Sequence, residues 1–211
     1  MKIFKDAIGI FATFHRFSEN KLRKSPSSTM EKNGSLWHTV PRGKNCPEEF
    51  NVIVETPRGS KCKYEISKKH QGIVLDRVLH HSVMYPAEYG LIPQTYYLDN
   101  DPMDVILLMS QQTYPGIIVE AKAIGMLEML DQGEEDHKVL AVAIRDPIYR
   151  DYEAIENLPE HLPKEISNFF EIYKLLENKK TEVKGWLGKE RALKEISKSM
   201  GIYDTKFGAG S

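Results

Sequence analysis

Cysteine is nearly absent: Cys46 and Cys62 are the only two in 211 residues. They are spaced like neither a zinc knuckle nor a redox pair, and two are too few for a disulfide framework. A reducing, cytoplasmic compartment is the expectation. Long apolar runs are missing too, and nothing approaches the roughly 20 residues needed to span a bilayer. Neither sign of charge dominates, since 29 basic residues meet 30 acidic ones for a net charge of −1. That balance gives no reason to expect nucleic acid as the partner. There is no internal repeat and no low-complexity tract. What is present is length enough for one domain with a sizeable core, and an ordinary apolar content of 41%.

The acidic residues are few in excess but sharply grouped. Residues 99–105 read Asp-Asn-Asp-Pro-Met-Asp-Val and run at once into Ile106-Leu107-Leu108-Met109. Asp99 and Asp101 project to one side of an extended chain, and Asp104 joins them only if the backbone turns. Pro102, with fixed φ and no N–H, is the residue expected to make that turn at the mouth of a strand beginning near Val105. Two carboxylates about 4 Å apart repel by about 4 kcal/mol at an effective dielectric near 20. A cation among them is therefore expected, and oxygen-only ligands favour Mg²⁺ or Mn²⁺ over zinc. A second group, Asp131-Gln132-Gly133-Glu134-Glu135-Asp136-His137-Lys138, again precedes an apolar run, Val139 to Ile144. If the two strands are neighbours in one sheet, both turns lie at one rim and Asp131 and Asp136 join the first three aspartates. The competing reading is two solvated acidic loops. An EF-hand starting at Asp99 fails on its ligands, because Asp104 stands where glycine is needed and Ser110 where glutamate is needed. An aspartate-nucleophile phosphatase is the enzyme alternative, but there the apolar strand ordinarily comes before the motif.

From Asn51 onward, short β-branched and aromatic runs alternate with turn residues: Val52–Val54, Lys63–Ile66, Ile73–Leu75, Val105–Met109, Ile117–Val119, Lys122–Leu127 and Val139–Ile144. This spacing predicts a β-barrel or sandwich rather than βαβ units. Helical periodicity comes late, over Lys164–Glu177 with Pro163 in the first turn, and over Glu190–Met200. The fold class is mainly β with flanking helices (α+β). His80 and His81 read as surface or interface residues, and Trp186 and Phe207 as packing residues.

These motifs resemble those of the soluble family I inorganic pyrophosphatases. The likeness rests on Asp99–Val105 together with Val54-Glu55-Thr56-Pro57-Arg58-Gly59-Ser60, Lys63-Tyr64-Glu65, Val74-Leu75-Asp76-Arg77, Tyr85-Pro86-Ala87-Glu88-Tyr89-Gly90, Asp131–Lys138 and Phe169-Phe170-Glu171-Ile172-Tyr173-Lys174. It covers about residues 35 to 207. The resemblance implies an OB-like five-stranded β-barrel with two C-terminal α-helices, and Mg²⁺-dependent hydrolysis of pyrophosphate to two phosphates. Mn²⁺ or Zn²⁺ would substitute and Ca²⁺ would inhibit. It further implies that Asp99, Asp104 and Asp136 bind a first metal, with Asp104 shared to a second and the nucleophilic water between them. Asp101 would accept that water's proton or orient it, with Tyr89 hydrogen-bonded to it. Asp131 with Asp136 would hold a metal arriving with substrate, Glu65 a further one, and Glu55 would support the rim. Lys63, Arg77, Lys138, Tyr173 and Lys174 match phosphate-binding positions, and Tyr85 lines the same wall. Family members of this compact length imply a homo-oligomer, with a hexamer as one form. A catalytically silent binding protein on the same fold is the non-enzymatic alternative.

One position departs from the pattern: Glu88 stands where many members have asparagine and some aspartate. Its charge is expected near Tyr89 and Asp101, altering metal affinity or the base's pKa. Residues 1–29 differ from the rest, with the apolar Ala7–Phe14 stretch, then Arg16, Lys21, Arg23 and Lys24, then a serine-rich segment. They read as a targeting presequence for an organelle or as sequence upstream of a start at Met30, the second being preferred. The expected catalytic domain is 30–207, followed by a flexible tail, 208–211.

Overall fold

The computed structural model describes residues 34–68 and 71–208. The expected extension 1–29, and all of the expected tail except Gly208, lie outside the described residues. After a one-turn helix, α1 (Leu36–Thr39), come strands β1 (Glu49–Thr56), β2 (Cys62–Ile66), β3 (Ile73–Val78), β4 (Glu88–Leu91), β5 (Asp104–Leu108), β6 (Ile118–Asp131), β7 (Glu134–Glu135) and β8 (Lys138–Ala143). Helix α2 (His161–Ile172), strand β9 (Thr181–Gly188) and helix α3 (Lys189–Phe207) complete the chain. Five strands close on one another in the order β1-β4-β5-β8-β6, and β6 pairs back with β1. The result is the expected barrel. β7 and β9 extend from β6, while β2 and β3 form a separate hairpin.

Every junction of the ring is antiparallel except β5 with β8, which is parallel. Both of those strands are buried on both faces, as near-continuous apolar sequence requires. Alternation splits their side chains between two cores. Val105 and Leu107 pack with Val52, Val54, Ala121, Ala141 and the α3 residues Ala192 and Ile196. Ile106 and Leu108 pack with Leu140, Val142, Ile124 and the α2 residues Ile166, Phe169 and Phe170. Each of those α2 side chains contributes about 1.5–3 kcal/mol by leaving water, which fixes α2 against the barrel wall.

Several elements differ from what local patterns predict. The expected strands Ile117–Val119 and Lys122–Leu127 fall, from Ile118 onward, in one strand, β6, bent where its register with β8 shifts between Ala123 and Gly125. Helix α2 begins earlier and ends earlier than Lys164–Glu177: after Ile172 the chain tightens into a 3-10 turn, Leu175–Glu177, closed by Asn178 at φ 56°. Helix α3 runs past Gly201 to Phe207 because Tyr203 and Phe207 pack on Trp37, with ring centroids 6.2 and 5.6 Å away. Phe207 and Trp186 are packing residues as expected, and Trp186 Nε1 also donates to Ser167 Oγ at 3.0 Å. Strand β4 hides inside the Tyr-Pro-Ala-Glu-Tyr-Gly motif. A Cβ at Gly90 would fall 2.1 Å from the Ile53 carbonyl oxygen, so only glycine lets β4 cross β1 there.

Candidate active site

The parallel β5–β8 junction builds the site. Its register sets Asp104 beside Lys138, so the two acidic turns that precede these strands open at the same rim. The first turn reverses at Asn100, not at Pro102: Asn100 has φ 69°, a left-handed conformation that asparagine tolerates better than most residues. The Tyr97 N–H donates to the Asp101 carbonyl at 2.7 Å, and the Asp101 N–H donates to Asp99 Oδ1 at 3.1 Å. The second turn reverses at Gln132 and Gly133, with φ 52° and 92°, a two-residue hairpin loop between β6 and β7.

These turns, the β2–β3 hairpin and the end of α2 enclose a cavity of about 480 Å³. Thirteen of the fourteen candidate site residues line it, and only Arg77 stands outside. Glu134, Glu135 and Phe170 also line it. The two glutamates lie within the acidic group already visible in the sequence, whereas nothing local marks Phe170 as a wall residue. Behind the charges stands an aromatic slab in which Tyr85 lies 5.4 Å from Tyr89 and 4.7 Å from Phe169, ring to ring. Such a wall excludes water and strengthens every charge facing it.

Lysines hold the carboxylates in pairs. Lys138, only 1% exposed, donates to Asp104 Oδ2 and Asp136 Oδ1, each at 2.7 Å, with Nζ 5.6 Å from the Tyr89 ring centre. Lys174 pairs with Asp131, Lys68 with Asp101, and Lys63 with Glu65. The Tyr89 hydroxyl donates to Asp104 rather than to Asp101, the expected partner. Glu55 Oε1 accepts the Ile66 N–H at 2.7 Å, tying β2 to β1. Glu88 contradicts its expectation: 2% exposed and outside the cavity, it accepts the Arg58 N–H at 3.2 Å and the Thr113 N–H at 2.9 Å. Strand alternation is the reason, because neighbours in β4 point to opposite faces and Tyr89 takes the cavity side.

Nine carboxylates share this cavity with three lysines. The imbalance shows in the acids themselves. Burial, then the neighbouring Asp104 charge, pushes the Asp99 carboxyl up to about 6. Burial also raises Asp104 despite Lys138, and raises Glu55 to about 8. Burial pushes Asp136 in the same direction, but Lys138, Lys174 and Lys63 outweigh it and hold that carboxyl below the ordinary range. Lys138 is held well above the ordinary lysine value, because Asp104 and Asp136 outweigh its desolvation.

As the side chains lie, no group of three or more His, Cys, Asp or Glu among the described residues stands close enough to hold a metal ion. The five aspartates share one cavity, with Lys138 joining Asp104 to Asp136 while Lys174 pairs with Asp131 and Lys68 with Asp101. The donor set nevertheless suits hard cations. It is all oxygen, it is short of positive charge, and Asp131 Oδ1 is buried within it without a hydrogen-bond partner.

A closed barrel whose parallel junction opens on a carboxylate-rich, lysine-studded cavity defines a class of protein that handles a polyanion together with cations. Residues 52–204 match the family model of inorganic pyrophosphatase. The chain is 51% identical over 174 residues to the inorganic pyrophosphatase of Picrophilus torridus, covering 82% of this chain and 98% of that one. It is 46% identical over 167 residues to soluble inorganic pyrophosphatase 1 of Arabidopsis thaliana, covering 79% of each. Among solved structures, the inorganic pyrophosphatase of Thermus thermophilus superposes with a TM-score of 0.77 at 36% identity, over 80% of this chain and 98% of that one. The truncated vacuolar soluble pyrophosphatase of Trypanosoma cruzi, in complex with PPi, has a TM-score of 0.72 at 27% identity, over 81% of this chain and 78% of that one. The chain belongs to the inorganic pyrophosphatase family, whose members are metal-dependent.

Proposed function

We propose that the cavity hydrolyses inorganic pyrophosphate to two phosphates with Mg²⁺ as its metal. The observation that carries this reading is the Asp104–Lys138 register of the parallel junction, which sets two acidic turns and a buried lysine around one space. Bound divalent cations would supply charge neutralisation at the phosphoryl oxygens and a more acidic water. Asp99, Asp104, Asp131 and Asp136, with Glu65, are the residues proposed to hold them. Asp101, half-exposed on the cavity rim, takes the proton from the attacking water. Tyr89 orients Asp104 through its hydroxyl, and Glu55 braces the rim. Lys63, Lys138, Lys174 and Tyr173 face the same space and hold the two phosphates, with Arg77 behind them. Tyr85 closes the wall.

Phosphate release from pyrophosphate, followed with Mg²⁺ and then with EDTA, tests the reading. Turnover that survives chelation overturns the metal role, and no turnover in Mg²⁺ overturns the activity. Mn²⁺ or Zn²⁺ should support partial turnover, whereas Ca²⁺, larger and looser in geometry, should inhibit. Homo-oligomerisation, with a hexamer as the specific form, is a further proposal that sedimentation equilibrium tests. Cytoplasmic residence is supported by the two free cysteines, and no helix among the described residues is long and apolar enough to cross a membrane.

A further inference from the structure

Arg77 is the one candidate residue outside the cavity lining, and its surroundings are unusual for a half-buried guanidinium. Its Nε donates to Glu177 Oε1 at 2.9 Å, its Nη1 pairs with Asp76, and its Nη2 is buried with no hydrogen-bond partner. Such an orphan is costly to keep unless something else meets it. In the β2–β3 hairpin Arg77 lies directly across from Lys63, which does line the cavity. That hairpin has no strand pairing to the barrel. Glu177, whose side chain is 7% exposed, ends the 3-10 turn that follows Tyr173 and Lys174, and its N–H donates to the Lys174 carbonyl at 2.9 Å. One ion pair, across 100 positions of sequence, thus joins the hairpin carrying Lys63 to the turn carrying Lys174.

Resting on the pyrophosphatase reading, we infer that Glu177 is a positioning residue for substrate. It acts through Arg77, holding the guanidinium across from Lys63 so that the two cationic walls keep their spacing. Without Glu177, Asp76 alone holds the guanidinium and draws it along the hairpin. The hairpin strand that carries Lys63 then loses its tie to the turn after Lys174, and Lys63 its fixed place on the wall.

The test is steady-state kinetics on the full chain at saturating Mg²⁺, with melting temperatures, for Glu177→Gln, Arg77→Gln and the double variant. Glu177→Gln should raise KM for pyrophosphate about tenfold, the scale of one charge-assisted contact withdrawn from binding, with kcat changed less than about twofold. The double variant should be no worse than Arg77→Gln alone, because Glu177 has nothing left to position. Glu177→Asp keeps the charge and should recover part of the affinity; it carries the same comparison if the glutamine variant does not fold. An unchanged or lowered KM in Glu177→Gln overturns the inference, as do effects that multiply in the double variant. If the parent chain releases no phosphate, the underlying reading falls with it.

Discussion

Lys138→Met removes one charge from the centre of the site and keeps most of the side chain's volume. In the parent, one Nζ stands 2.7 Å from an oxygen of Asp104 and 2.7 Å from an oxygen of Asp136, so the two carboxylates face each other across that atom. With the ammonium gone they repel by about 3 kcal/mol at about 5 Å and an effective dielectric of 20. Breaking a buried pair by removing one partner costs about 3–5 kcal/mol. For a domain of this size that is a fall in Tm of roughly 6–20 °C when measured in EDTA. Mg²⁺ supplies the missing positive charge, so it should stabilise the variant more than the parent. Acid should do likewise. Asp136 is held low in the parent, so its paired form adds stability above the ordinary aspartate value, and that stability is lost as pH falls through the depressed one. In the variant, burial acts unopposed and raises both carboxyls. Protonation then relieves the repulsion, so the gap between variant and parent begins to narrow as pH falls toward about 4 and narrows further below it, where the parent loses its Asp136 contribution. Calorimetric melts of both proteins with and without Mg²⁺, from neutral to acid pH, provide the measurement. A loss under about 1 kcal/mol in EDTA, or equal stabilisation of the two proteins by Mg²⁺, would refute the reasoning.

Asp101→Asn should lower kcat by about 100-fold or more while calorimetric Mg²⁺ affinity holds within about threefold, whereas Asp104→Asn should weaken both; equal loss of affinity in the two would undo that division of roles. Glu88→Asn trades a charged acceptor of two backbone N–H groups for a neutral one, so it should cost about 1–3 kcal/mol in denaturant melts and leave the pH–rate profile in place. A shifted acidic limb would place Glu88's influence in the site after all. Burial pushes the Cys46 thiol up to about 11 against the pull of Arg42. Site-resolved alkylation of Cys46 should therefore accelerate about tenfold per pH unit up to that value, and a plateau near pH 9 would contradict it.

Asp99–Val105 and Asp131–Lys138 were legible as one site from sequence, because each acidic turn feeds an apolar run and strands of that kind pair in the interior. Short apolar runs set between turn residues likewise announced most of the barrel strands, and helical periodicity announced α2. Local pattern failed where partners came from far along the chain. β4 is four residues whose strand identity depends on Gly90 passing the Ile53 carbonyl. The last two turns of α3 depend on Trp37, more than 160 positions away.

By itself the sequence determined the chemistry available: an excess of grouped carboxylates, a smaller set of cations, and the apolar strands that bury the space between. The tertiary structure alone decided which oxygen meets which cation. Whether Tyr89 holds Asp104 or Asp101, whether Glu88 faces the cavity, and what orients Arg77 all depend on register and strand face. A shift of one residue in a strand exchanges those faces without changing the composition of the motif. That is why residue type was readable along the chain and contact was not.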